Sequence, residues 1–579
     1  MLEYTPEPLL VLRLRGSQAE MGAQHGAMLT ELGGWQETRD FYASMPAALL
    51  AMGVPQPVRG AARRIFAATG DFNARRLHRA RKRHFPEYLA RTEAMLEAAG
   101  EPRRVARSFA AMDVLQNTVG TLGRYGLLHS TGLHVAAVPA CTSVAVWGDA
   151  SSDGQMRHAR NFDFPGAGVW DKAPSVVFCD PDDGLRYGFV STRGADTPGV
   201  TAFNEAGLSL TAHTRFHRDV RYDGVGVIDF GHELIRRCRT LADVRRVAAE
   251  FRTASTWGFL VSSASEQQAL VLETTSAGVA FTEASRSAQH LATANRYQDP
   301  GLAVGEVTSS DTFVVDSNAR FRRADSVVAR NHGQVSGEDL QALLSDTADP
   351  DAPDPEAEDR LVGNCISNAM TVKSVVLEPQ SGSVRMGIGP APTGIGRWVD
   401  VPHSWDGPTG RVSAPADAAG SLAESSLTDE ARRAAVFHYT TATRRHLGGE
   451  SPQRVRDALE RAVQAAPTEP NLRFIAAMFA VAGGELGVAD THLQAATARE
   501  HGVFRRAQQL LWHGRVLAAN GRRDEARSRW RELQELPERD GLEPLRRSAK
   551  KESRRPMSRL RLRTVIPDIF LFDGTIPGA

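Results

Sequence analysis

The sequence runs to 579 residues, yet it has four cysteines, a net charge of +1 and only 7% aromatic residues. Each scarcity excludes something. Cys141, Cys179, Cys238 and Cys365 lie far apart with no CxxC pair, which argues against a zinc site and against a disulfide scaffold. Three of them read as small buried apolar residues; Cys141 differs by its setting. The balanced charge removes the electrostatic case for nucleic acid or an anionic membrane as the main partner. No uninterrupted apolar run is long enough to span a bilayer. The opening Met-Leu-Glu-Tyr-Thr-Pro-Glu-Pro carries acids and prolines where an export signal has basic and then apolar residues. The expectation is a cytoplasmic protein that contacts neither nucleic acid nor membrane. Apolar content of 42% and charged content of 24% fit a soluble globular chain, and the length calls for two or three domains.

The stretch 138–166 organises the rest. Val-Pro-Ala-Cys141-Thr-Ser-Val-Ala-Val-Trp reads as a strand, Asp153-Gly154 as a turn, and His158-Ala-Arg160-Asn-Phe-Asp163-Phe as the returning strand. A hairpin here brings the Cys141 thiol, the Arg160 guanidinium and the Asp163 carboxylate within reach of one another. Upstream, residues 9–15 read as a strand. Gly16-Ser-Gln-Ala-Glu-Met-Gly-Ala-Gln-His25-Gly opens a helix, and by pattern alone His25 is a capping or packing residue. Residues 35–125 are mostly helical, and the basic run 75–83 is a solvated face. From 141 to about 401 strands dominate: 175–179, 188–192, 199–204, 208–213, 257–262, 269–273, 279–282 and 290–295. Amphipathic helices are expected at 230–238 and 241–251. Several strands are apolar on both faces, as in a sheet covered on both sides, which points to a layered α+β domain.

Residues 349–359 read as an exposed acidic loop, and 404–430 as a Gly/Ser/Ala/Pro linker. Beyond it the composition turns helical. Pro467, Gly502 and Pro537 recur at nearly the ~34-residue tetratricopeptide (TPR) spacing, so 431–545 is expected to be a TPR-like helical domain, a plain helical bundle being the other reading. The last part, 546–579, is basic and then extended, and either packs back on the body or frays.

The Cys-Thr-Ser strand start followed by Arg-Asn-Phe-Asp-Phe resembles the cysteine N-terminal-nucleophile (Ntn) hydrolases, and in particular the acyl-CoA:6-aminopenicillanate acyltransferases (peptidase family C45). The Gly16–Gly26 string resembles the opening of that family. Asn204-Glu-Ala-Gly-Leu208, Thr293-Ala-Asn295 and Ser317-Asn-Ala-Arg320-Phe-Arg resemble three of its later motifs. The resemblance implies a four-layer αββα sandwich. Residues 1–140 then form a small chain left by self-cleavage, still part of the Ntn domain, and 141–403 the catalytic core. It implies cleavage between Ala140 and Cys141, where the acyltransferases carry Gly in place of Ala140.

The new α-amine, titrating near ~7.7–8.0, then takes the thiol proton, so that one residue holds both nucleophile and base. On the same resemblance Asp163 holds the ammonium and Arg160 biases the thiolate. Asn295 donates to the oxyanion, worth roughly 3–4 kcal/mol, and Arg320 orders the site or contacts Asp163. His213 and Asn204 are candidate pocket residues. No cofactor or metal is implied. The expected partners are a small-molecule amide or acyl donor, with acyl-CoA as a conceivable co-substrate, and a protein partner or a second copy of the chain at the C-terminal helices. The rival reading is a scaffold, a TPR-like interaction module on a catalytically idle Ntn fold. The set Cys141, Arg160, Asp163, Asn295 and Arg320 speaks against it. A papain-type protease lacks its local signature around Cys141.

Overall fold

A computed structural model describes residues 7–130, 140–285, 287–307, 310–350, 360–361, 363, 365–412 and 429–577. Its strands are β1 (Leu9–Gly16), β2 (Ala140–Gly148), β3 (Gly154–Asp163), β4 (Pro174–Pro181), β5 (Tyr187–Thr192), β6 (Thr201–Asn204), β7 (Leu208–Thr214), β8 (Trp257–Ser263), β9 (Gln268–Thr274), β10 (Val279–Glu283), β11 (His290–Thr293), β12 (Thr371–Glu378), β13 (Ser383–Ile388), β14 (Arg397–Pro402), β15 (Gly410–Val412), β16 (Ile566–Asp568) and β17 (Asp573–Thr575). They form a nine-stranded sheet in the order β10-β9-β8-β7-β6-β5-β4-β1-β15 and a six-stranded sheet in the order β11-β2-β3-β12-β13-β14, with β16 and β17 paired apart.

The two large sheets face each other. Leu9, Val11, Val176, Phe178 and Val190 of the larger interlock with Val375, Leu377, Val384, Met386 and Val399 of the smaller. The outer face of the nine-stranded sheet is covered by the helices Gln18–Leu32, Val227–Arg237 and Leu241–Glu250. The outer face of the six-stranded sheet is covered by the helices Asp311–Arg330 and Gly337–Leu344. Helix, sheet, sheet, helix is the expected αββα order. Double coverage explains why β2, β4 and β8 read as apolar on both faces.

The Gly16–Gly26 motif proves architectural. Ser17 and Glu20 form a capping box at the helix start. A Cβ on Gly22 would lie 2.1 Å from the carbonyl oxygen of Arg91, and one on Gly26 2.2 Å from that of Met95. Only glycine lets this helix cross the helix Pro86–Ala98 so closely. His25 is buried beside Asp196, itself bound by Arg91, so it is a packing residue.

Among the described residues after β15, the helices Asp429–Gly448, Pro452–Ala465, Pro470–Gly483, Leu486–Thr497, Val503–Ala519, Arg523–Glu535 and Leu542–Arg554 each pack on the next, and a single turn, Arg559–Leu562, follows. Those starting at 452, 486 and 523 keep close to the ~34-residue period. Two expected boundaries move. β15 pairs with β1, Leu9 opposite Val412, so the sheet extends past 403 into the presumed linker. The helix Leu542–Arg554 runs across 545, because Leu542 and Ala549 share one apolar face against the helix Val503–Ala519. The tail packs back rather than fraying: Val565, Ile569 and Phe570 are buried with Met478 and Trp512. Asp349, read as part of an exposed loop, is fully buried near Arg360. The remainder of that acidic stretch, 351–359, most of the linker, 413–428, and the residues Val138 and Pro139 lie outside the described residues.

Candidate active site

The hairpin β2–β3 is built as its sequence implies, closing through Gly148 and Gly154, both at positive φ. Residues opposite each other across such a ladder project from the same face, and this sorts the site. Cys141 opposite Phe162 and Ser143 opposite Arg160 point toward the nine-stranded sheet. Ala140 opposite Asp163 and Thr142 opposite Asn161 point toward the helix Asp311–Arg330.

Cys141 is 1% exposed. Arg160 Nη2 donates to its Sγ at 3.2 Å and to the carbonyl of Ala212 at 2.7 Å. Nη1 of Arg160 donates to Thr201 and to the carbonyl of Val200. Burial pushes the Cys141 thiol above its usual range, and the neighbouring Arg160 only partly offsets this. The expected biasing of the thiolate by Arg160 is therefore outweighed by desolvation, and the thiol needs a base to lose its proton.

The backbone N–H of Cys141 donates to Asn295 Oδ1 at 2.9 Å. Arg320 Nη2 donates to the same oxygen at 2.9 Å, while its Nη1 donates to the Cys141 carbonyl at 2.7 Å and to Thr142 Oγ1 at 2.9 Å. Arg320 is fixed in turn by Asp316, one helical turn earlier, at 2.9 Å. The helix Asp311–Arg330 thus reaches over the end of β2 and grips the nucleophile residue through Asn295. Asn295 differs from expectation in orientation. Its oxygen holds the Cys141 nitrogen, and its Nδ2 donates to the carbonyl of Thr214 at 3.2 Å. Donation to an oxyanion requires Nδ2 to leave that longer bond. Arg320 touches Asn295 and Asp316, and no hydrogen bond joins it to Asp163.

Asp163 is fully buried. Oδ1 accepts from Thr371 Oγ1 at 2.6 Å, and Oδ2 has no hydrogen-bond partner among the described residues. Burial raises its pKa to about 7 against the pull of Arg320 and Thr371. A carboxyl held protonated up to pH 7 in the fold but ionising near ~3.9 when unfolded binds the extra proton in the folded state between those values. The stability of the continuous chain is expected to fall as pH rises from about 4 to 7, by ~4 kcal/mol from this group. Asp163→Asn should remove that slope, so thermal melts of uncut Cys141→Ala with and without Asp163→Asn, at pH 5 and pH 8, should diverge most at pH 8, with the double variant the more stable. Arg320→Met leaves Asp316 buried without its partner, for an expected loss of roughly 3–5 kcal/mol in chemical denaturation.

His213 lies on β7 beside Ala212, is fully buried, and is held neutral by burial and by Arg160. Its Nε2 lies 3.4 Å from Thr211 Oγ1, and no hydrogen bond joins it to Cys141. Asn204 is not gathered to the site. Its Nδ2 donates to the carbonyls of Ile235 and Cys238, and its Oδ1 accepts from Ala206 and Leu208, which locks the β6–β7 turn onto a helix end. Three contributors escaped the sequence reading. Asp316 had a signal, an acid four residues before an arginine on a helix. Ser317, quoted in the sequence only as the head of the Arg320 motif, accepts from the Asn295 backbone N–H at 2.9 Å, and Thr371 carries Asp163; a strand-end threonine does not stand out in a sequence.

No helix among the described residues is long and apolar enough to cross a membrane. No curated protein matches the sequence. Among solved structures, a Caenorhabditis elegans N-acylethanolamine-hydrolyzing acid amidase (NAAA) ortholog is similar at 14% identity, with a TM-score of 0.29, over 41% of this chain and 93% of that one. The family model "Acyl-coenzyme A:6-aminopenicillanic acid acyl-transferase" matches residues 153–364. That span holds Arg160, Asp163, Asn295 and Arg320, and begins after Cys141. Residues 153–364, forming most of the αββα sandwich around Cys141, are thus similar to the acyl-coenzyme A:6-aminopenicillanic acid acyl-transferase family.

Proposed function

We propose that the protein is an N-terminal-cysteine amidohydrolase or acyltransferase, activated by cutting its own chain between Ala140 and Cys141. The observation that carries this reading is that both ends of Cys141 are gripped at once: its nitrogen by Asn295 and its sulfur by Arg160. A buried structural cysteine needs neither.

In the first step Sγ attacks the Ala140 carbonyl carbon. The Ala140–Cys141 C–N bond breaks, the freed nitrogen takes a proton, and water then releases Ala140 from the thioester. Because burial keeps the thiol protonated, the liberated amine has a defined task. It takes the Sγ proton as Sγ adds to the substrate carbonyl, and passes it to the departing amine. An acyl-cysteine remains. Water completes a hydrolysis; an amine completes a transfer. Asp163, with one oxygen unpartnered, is the group to receive the new positive charge at Cys141, and ionises as that charge appears. Acyl-CoA is a conceivable donor in the transfer case. The C-terminal helices are a surface for a protein partner or for a second copy of the chain.

The test is to trap the intermediate. Brief mixing with 4-nitrophenyl acetate should add one acetyl group to the fragment that begins at Cys141, and hydroxylamine should remove it. A protein that stays unlabelled, or is labelled on another residue, contradicts the proposal.

A further inference from the structure

Resting on that function, we propose that Lys373 forms an anion subsite beside Cys141 and selects amides whose acyl chain ends in a carboxylate. Lys373 lies on β12, opposite Phe162, which is itself opposite Cys141 on β2. The three side chains therefore leave one sheet face in a row, with the Cys141 and Lys373 Cα atoms two strand spacings apart, roughly 10 Å. A bulge creates this alignment. Thr371 pairs with Asp163, and the register then slips by one so that Lys373 rather than Val372 meets Phe162. Without the extra residue Lys373 would pair with Asn161 and point to the opposite face. Bulges beside active sites re-aim side chains in this way.

The lysine is poorly accounted for as a structural residue. It is 3% exposed. Its Nζ donates to the carbonyl of Trp170, and no carboxylate among the described residues makes an ion pair with it. The nearest acid, Asp171, is taken up by the backbone N–H groups of Ala391 and Gly168. Around it stand Phe162, Phe164 and Trp170, with ring centroids 5.1 to 5.8 Å apart. Burial pulls its pKa down to about 7, so an arriving anion would restore its charge. A buried ammonium in an aromatic setting, attracted by Asp171 but not paired with it, is costly, and an anionic ligand lowers the cost.

The acyl side of the substrate is the side assigned. The acyl carbon bonds to Sγ, on the face shared with Lys373. The leaving amine takes its proton from the Cys141 nitrogen, held at Asn295. The covering loop that carries Trp170 is tied to the helix Asp429–Gly448 through Arg444, which donates to the carbonyl of Gly168 at 2.8 Å.

The test is calorimetric titration of the full-length protein with glutarate and with the neutral glutaramide. Glutarate should bind, and at least ten times more tightly than glutaramide. Lys373→Met should lose that preference and melt at a higher temperature, having shed a buried charge. Absence of glutarate binding to the wild type overturns the proposal whether or not the variant folds. So does equal binding of the two probes, or unchanged glutarate affinity in Lys373→Met. Glutarate binding to a protein that never cuts before Cys141 keeps the subsite and removes the catalytic reading.

Discussion

Cys141→Ala is expected to abolish both self-cleavage and amide turnover while leaving the fold intact. The substitution removes one sulfur from a core that contains Phe162, Phe164 and Trp170, so its structural cost is that of a small cavity, about 1–2 kcal/mol. Its chemical cost is of another order. With no Sγ there is nothing to attack Ala140, and with no cut there is no α-amine to act as base. Nucleophile and base vanish together, and removing such a unit costs roughly five to six orders of magnitude in rate. Circular dichroism and thermal melting should be near wild type, with no product from any amide that the wild type consumes. Cys141→Ser separates the two roles. The hydroxyl retains the shape and, if it cuts at all, should do so slowly, because Arg160 and the buried setting do nothing to help ionise an alcohol.

The second large effect is expected from the far end of the chain. Removing all residues after Val412 should destroy the catalytic site, although none of the described residues among them makes a hydrogen bond to Cys141. The helix Asp311–Arg330 has two working faces. Asp316, Ser317 and Arg320 build the site. Thr312 donates to Asp573 and accepts from Gln508 at 2.9 Å, Val315 packs with Val503 and Phe504, and Arg322 pairs with Asp540 at 2.8 Å. A second connection runs through Arg360, paired with Glu500 at 2.8 Å, and Leu361, whose N–H donates to Glu469 at 2.8 Å. That segment leads to Thr371, the partner of Asp163. Truncation strips all of these contacts and exposes Phe216, Phe313 and Met370, which share one core with the C-terminal helices. The expected product is insoluble or protease-sensitive and remains uncut. A soluble truncated chain that still cuts before Cys141 would make the helices a detachable module.

The sequence carried the hairpin because its signals are local: β-branched and apolar runs around a Gly-rich turn. The layered fold followed from strands apolar on both faces. Cys141, Arg160, Asn295 and Arg320 converge on one another in the structure, with Asp163 on the adjoining face. What escaped was relational. Asn295 presents its oxygen rather than its amide to Cys141 because Arg320 arrives from another element, which no spacing encodes. The thiol is harder to ionise than the nearby Arg160 suggests, because burial is a property of the whole fold. Asn204, drawn toward the pocket by its motif, spends its hydrogen bonds on a turn and a helix end. The bulge that turns Lys373 toward Cys141 leaves no mark on Thr-Val-Lys-Ser. Domain boundaries were blurred where β15 returns to pair with β1 and where the terminal strands fold back onto the helices.

The most direct test of the central claim is the intact mass of the purified full-length protein under denaturing conditions, beside that of Cys141→Ala. The account predicts two wild-type fragments meeting between Ala140 and Cys141, the larger with cysteine as its first residue, and one uncut chain for the variant. A wild type that remains a single chain while turning over amides, or fragments that meet at any other bond, would contradict it.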